Sequence, residues 1–425
     1  MRELSRVFLT ASLITSLSVG CGGDDDDTSG TVDGGLDAGA DAGKVNDAST
    51  SDAGTADVTS KASEVRTALN LLLSEHLVVA AKATGAALGA RTSEYKAYGA
   101  LLNSNGTEVG ALIGSAYGPT AETQFNQIWS AHNGFFVDYT TGVATNNETM
   151  KTKAVNDLTT LYVPQFAALL ATATALPEQT LRDLTTEHVL DTKAVVDAQA
   201  AQNWPLAYTK IREAFAHMSM IGSPLADATA KKFPTVLPGN ALSKAATLRT
   251  QLNQALQEHL YLASFATGAA LGGRSAEATE AIKALNANGT EIGTVITGLF
   301  GADAGTAFNQ VWSAHNGFFV DYTTGVATNN ETQKAQAVTN LTTMYVPQFT
   351  ALIVSATKLP EATVAKLVSD HVTMTKAVVD AQAVKPVTDA SWTAAAAADR
   401  MAAHHMQQLA DPLASAIVAQ KPGSF

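Results

Sequence analysis

WSAHNGFFVDYTTGVATNNET, residues 129–149, recurs without a change at residues 312–332. Around its histidine, Ile128, Trp129, Phe135 and Phe136 return at spacings of three and four, the period of a helix with one buried face. The rest of the chain from about residue 62 repeats with it at an offset of 183, but has drifted. LLLSEHLVVAAKATGAAL at 71–88 stands against QALQEHLYLASFATGAAL at 254–271. Five extra residues enter the second copy near its end, after which Trp204, Arg212, His217 and Pro224 match Trp392, Arg400, His405 and Pro412. A tandem duplication with helical periodicity and abundant alanine predicts an all-α chain built as two homologous helical bundles.

In the first copy the pattern predicts helices at roughly 62–89, 93–103, 107–117, 120–144, 148–173, 178–200 and 205–231. Asn105-Gly106-Thr107 and Asn288-Gly289-Thr290 read as turns in which Thr caps the next helix. Pro177 and Pro360 sit where proline opens a helix. Pro164 and Pro347 interrupt a helical pattern and should kink or split it. The expected bundles are 61–232 and 244–425, joined by a linker at 233–243 that contains Pro234, Pro238 and Gly239.

The start of the chain is of another kind. Arg2 and Arg6 precede an apolar run from Val7 to Val19, too short for a permanent membrane span and suited to an export signal at 1–20. The run ends Leu17-Ser18-Val19-Gly20-Cys21, which resembles the lipobox of bacterial lipoproteins. That resemblance implies cleavage before Cys21, acylation of its thiol, and a protein held by lipid at the cell envelope, on the periplasmic face or the cell surface. Cys21 is the only cysteine, so no intramolecular disulfide can form, and once acylated it leaves no thiolate for a metal.

Residues 22–60 hold ten aspartates against one lysine and almost no bulky apolar side chain, which predicts a disordered acidic tether over 21–60. The tether also accounts for most of the net charge of −12: residues 22–60 contribute −9, residues 1–21 contribute +1, and the body only −4. A nearly balanced body without a basic cluster argues against nucleic acid as a partner. Protein partners are not legible.

All nine histidines lie in the repeated body. His76, His132, His188 and His217 match His259, His315, His371 and His405, each near the middle of a different predicted helix. Their neighbours at helical spacing are apolar, so the imidazoles should point inward. Four inward imidazoles at similar height can converge on one point, as bundle metal and cofactor sites do. Glu75 and Glu187, with Glu258 and Asp370, precede a histidine in sequence, and each could orient a histidine of the next helix. Asp138, Asp321, Asp197 and Asp380 are further candidates for that task. The alternative is a set of core histidines satisfied by backbone and by one another, within a structural or adhesion module.

If the eight histidines are ligands, imidazole without thiolate favours copper, zinc, nickel or iron. Met218 and Met406, each beside a histidine, point towards copper. Opposed histidines with Trp129, Phe135 and Phe136 would also suit a b-type haem, whereas covalent haem is excluded because no Cys-x-x-Cys-His occurs. Glu-x-x-His pairs, Gly-x-Ser-x-Gly, phosphate-binding glycine loops and His-Glu-x-x-His are absent. The body also resembles a group of exported bacterial helical proteins that carry Glu-His, Ser-Ala-His and Ala-His-Met elements with a Phe-Val-Asp-Tyr segment. Here these are Glu75-His76, Ser130-Ala131-His132, Ala216-His217-Met218 and Phe136 to Tyr139. The expectation is sequestration, sensing or transfer of a metal or haem in the envelope, rather than catalysis.

Overall fold

A computed structural model describes residues 57–425, and it is all-α, with no strand among the described residues. The export signal, Cys21 and the acidic tether up to residue 56 lie outside the described residues. In the first half the helices are α1 (Lys61–Leu88), α2 (Thr92–Tyr117), α3 (Pro119–Ala144), α4 (Glu148–Asp157), α5 (Val163–Thr174), α6 (Glu178–Ala200) and α7 (Trp204–Lys232). The second half presents the same order: α8 (Lys244–Leu271), α9 (Ser275–Phe300), α10 (Ala302–Ala327), α11 (Glu331–Asn340), α12 (Val346–Thr357), α13 (Glu361–Gln382) and α14 (Asp389–Gln420).

Local chemistry sets these boundaries. Ser60 and Ser243 accept from the backbone N–H three residues on, at 3.2 and 3.1 Å, and so cap α1 and α8. Pro177 and Pro360 occupy the N-caps of α6 and α13. Gly118, at φ 89°, joins α2 to α3 in a single residue, a conformation other L-residues resist. Pro164 does split its helix. It cannot donate to the carbonyl one turn back, and the chain widens into a π-turn over Leu158–Tyr162, closed by the Val163 N–H on Leu158 O. Pro347 and Leu341–Tyr345 repeat the device.

The expected turns at Asn105-Gly106-Thr107 and Asn288-Gly289-Thr290 are not turns: α2 and α9 run through them unbroken. Asn105 is buried and donates to Leu72 O and to Glu75 Oε2, both at 2.9 Å, and Thr107 bonds back to Asn103 O instead of capping. Gly106 makes room for an indole, since a Cβ there would lie 2.7 Å from Trp129 Cδ1. Asn288 and Gly289 do the same beside Glu258 and Trp312. Tertiary packing overrides the local turn signal.

α1 is surrounded by α2, α3, α6 and α7 and also lies against α8 of the second half. By length and composition it could cross a membrane, but here it is the central helix of a protein core. One apolar cluster runs through both halves, from Val58 and Leu69 to Leu252 and Val418. Contacts between the halves are reciprocal. Thr67 and Thr250, equivalent positions, hydrogen-bond to each other at 3.1 Å. Arg212 of α7 grips Glu258 and Glu291, while Arg400 of α14 grips Glu75 and Glu108. Such pairing is the signature of a two-fold interface, here within one chain. Symmetry breaks at its centre. Lys82 Nζ meets Asp399 Oδ2 at 3.1 Å, with Tyr98 Oη donating to the same carboxylate at 3.0 Å. The matching positions in the other half are Phe265, Ile211 and Ala281.

Candidate metal centre

Three of the four matched histidines in each half come together. His76 from α1, His132 from α3 and His188 from α6 are all buried, and one ring nitrogen of each lies within 4.8 Å of the others. His259 from α8, His315 from α10 and His371 from α13 form the same group. The ring centroids are 5.2, 6.0 and 6.3 Å apart in the first group and 5.3, 6.0 and 6.1 Å in the second. These clusters could hold a metal ion.

Backbone fixes one ring in each group. His132 Nδ1 is 2.6 Å from Trp129 O, and His315 Nδ1 is 2.5 Å from Trp312 O. A carbonyl only accepts, so Nδ1 carries the proton and Nε2 is left with a free lone pair. That Nε2 of His132 lies 3.3 Å from His76 Nε2. Two nitrogens bound to one tetrahedral ion at about 2.0–2.1 Å would themselves be about 3.3–3.4 Å apart. Elsewhere in the clusters, His76 Nδ1, His188 Nδ1, His259 Nδ1, His315 Nε2 and His371 Nε2 are buried without a hydrogen-bond partner. Each such group costs about 1–3 kcal/mol.

Aromatic rings enclose the imidazoles. Tyr162, presented by the π-turn, stacks on His132 with centroids 4.5 Å apart and planes 15° apart, and Tyr345 does the same on His315. Trp129 packs on His76 at 4.5 Å, with Trp312 on His259 at 4.6 Å. Burial therefore holds the rings neutral. It pushes His132 and His315 down to about 4, although their backbone hydrogen bonds oppose it. His188 and His371 fall to about 3, from burial and then from neighbouring imidazoles. His76 and His259 are lowered well below the usual value for the same two reasons. At neutral pH each ring is uncharged, with one N–H and one lone pair, so a cation would have no imidazolium proton to displace.

Beside the first cluster lies an apolar cavity bordered by His188, Trp129, Tyr162, Phe166 and Met218, with about 20 Å³ open to the centre of a water-sized sphere. An ion held by three imidazoles would keep a further position for a small ligand, which this cavity could admit.

His217 and His405 do not join the clusters. His217 Nε2 donates to Leu184 O at 2.9 Å, and its other nitrogen faces Glu187 at 3.7 Å. His405 Nε2 points to Leu367 O at 3.5 Å. Of the expected carboxylate supports, Glu187 faces one of these histidines, His217, and the others lie elsewhere. Glu75 is tied to Asn105, Tyr261, Arg400 and His404, and Glu258 to Asn288 and Arg212. Asp370 pairs with Lys366. Asp138 and Asp321 are exposed, while Asp197 and Asp380 receive the hydroxyls of Tyr139 and Tyr322. Sequence reasoning missed the Trp129 and Trp312 carbonyls, the stacked tyrosines, and Gly106 with Gly289. The only trace of them was that all are the same in both copies.

Comparison with known proteins finds no family model, no curated protein and no solved structure that matches the chain.

Proposed function

We propose that each half binds one transition-metal ion through three imidazoles, His76, His132 and His188 in the first and His259, His315 and His371 in the second. The observation that carries this reading is the convergence, twice in one chain, of three buried imidazoles, one ring nitrogen of each within 4.8 Å of the others, with unpaired ring nitrogens in both groups. An unpaired buried nitrogen is costly, and an ion would satisfy those turned towards it. The 3.3 Å separation of His76 and His132 and the backbone-held tautomer of His132 support it further. An all-imidazole set suits copper, zinc or iron. Met218, lining the adjoining cavity, keeps copper among them.

A bare ion fits better than haem. Trp129 and Tyr162 lie directly on the imidazoles, and the adjoining cavity would admit little beyond a water-sized group. A macrocycle would have to displace these rings. The resemblance of Leu17–Cys21 to a lipobox and the acidic stretch behind it support attachment to the cell envelope. There the job would be sequestration, sensing or transfer of the metal.

A second reading has one observation of its own. His76 Nε2 can donate into the His132 Nε2 lone pair at 3.3 Å, which ties two helices together without an ion. Elemental analysis with optical spectra of the purified chain separates the two. Bound metal at the level of the two clusters, with no Soret band, supports the ion. No metal, with melting unchanged by a chelator, supports the structural tie.

A further inference from the structure

The histidine left out of the first cluster sits in a different chemical setting. His217 is 4% exposed, and its Nε2–H is committed to Leu184 O at 2.9 Å. Nδ1 is thereby left as a lone pair, with no hydrogen-bond partner. It points at two carboxylates one turn apart on α6, Glu187 and Asp191, and one donor atom from each of the three residues lies within 4.8 Å of the others. Asp191 is half-buried and bonded to no cation, because Lys210 is taken by Glu213 at 2.6 Å.

We propose that Glu187, Asp191 and His217 form a third cation site, present in the first half only, for a divalent transition ion such as zinc. Its donor set, one imidazole and two carboxylates at the protein surface, is of the kind zinc accepts, with remaining positions left to water. The geometry matches the usual design for a histidine ligand: one ring nitrogen held by a carbonyl, the other turned to the metal. The second half lacks the site. Met374 stands where Asp191 does, and Asp370, in the place of Glu187, is paired with Lys366 at 2.6 Å. The outer site does not depend on the buried clusters being metal centres, so the two ideas can fail separately.

The test is equilibrium dialysis of the full-length chain against Zn²⁺ at pH 7, beside Asp191→Met, which installs the residue of the second half, and His217→Gln. If all three sites bind, the wild type holds three ions per chain and each variant holds two. If the buried clusters do not bind, the wild type holds one and each variant none. A loss of one ion in both variants with unchanged helicity supports the proposal. Identical zinc content and affinity in the wild type and Asp191→Met, or no zinc at all on the wild type, overturns it.

Discussion

The guanidinium of Arg400 closes on the carboxylate of Glu75, Nε to Oε1 at 3.0 Å and Nη2 to Oε2 at 2.9 Å, one residue before the cluster histidine His76. Glu75 is fully buried, so its charge depends on partners that come largely from the second half. Burial alone would raise its carboxyl, but hydrogen bonds and charge from His404 and Arg400 hold it down to about 2. Arg400→Ala takes the guanidinium from that buried charge, leaving it to Asn105, Tyr261 and His404, and should cost about 3–5 kcal/mol. Arg212→Ala should cost less, because Glu258 is 8% exposed against 0% for Glu75 and so keeps some contact with water. Urea unfolding of the two variants measures the difference, and equal losses would contradict it.

The centre of the interface offers a second comparison. Lys82 and Asp399 form a buried pair where the other half places Phe265 and Ile211. Asp399→Ile alone strands the Lys82 ammonium and should destabilise by about 3–5 kcal/mol. The double variant Lys82→Phe/Asp399→Ile copies the apolar solution and should recover much of that loss, since a buried pair is often replaceable by packed apolar groups. Chemical denaturation of the single and double variants reads the recovery directly.

Gly106 tests the packing around the first cluster. An alanine Cβ would meet the Trp129 indole, which packs on His76, at 2.7 Å. Gly106→Ala should therefore cost about 1–3 kcal/mol through overpacking and weaken metal binding by the first cluster alone. Gly134, on the same helix as His132, has open space around it, so Gly134→Ala should stabilise by about 0.5–1 kcal/mol. Thermal melts and metal titrations of both variants form the check.

Much of this arrangement was legible in the sequence, and the parts that were not share a cause. Helical period and apolar flanks placed His76, His132 and His188 inward on three helices, because burial of a helix face is a local property of the pattern. Pro164 announced a break for an equally local reason. Asn105-Gly106 misled, because its turn propensity is overruled by Leu72, Glu75 and Trp129, which lie far from it in sequence. Glu75 misled for the same reason, its guanidinium partner being 325 residues away. His217 has the same inward pattern as the others, yet a carbonyl on the neighbouring helix captures its ring.

Acid should loosen the metal-free protein in a defined window. Unfolded imidazoles take up protons near pH 6.5, whereas folded His132 and His315 do so only near 4, and His188 and His371 near 3. Between those values the unfolded chain binds more protons, so stability falls as pH is lowered from about 6.5 towards 4. The Glu75 carboxylate adds a further loss lower down, between its ordinary 4.5 and about 2. Melting temperatures from pH 7 to pH 4 should decline, and added zinc should raise them most at pH 7, where protons do not compete for the ligands. A flat profile would contradict the buried neutral imidazoles.

The most direct measurement is the metal content of the zinc-loaded full-length chain beside His132→Ala/His315→Ala. Two fewer ions per chain in the double variant, with helical circular dichroism unchanged, is the expected result. Equal metal content in the two proteins would contradict binding at the paired imidazole clusters.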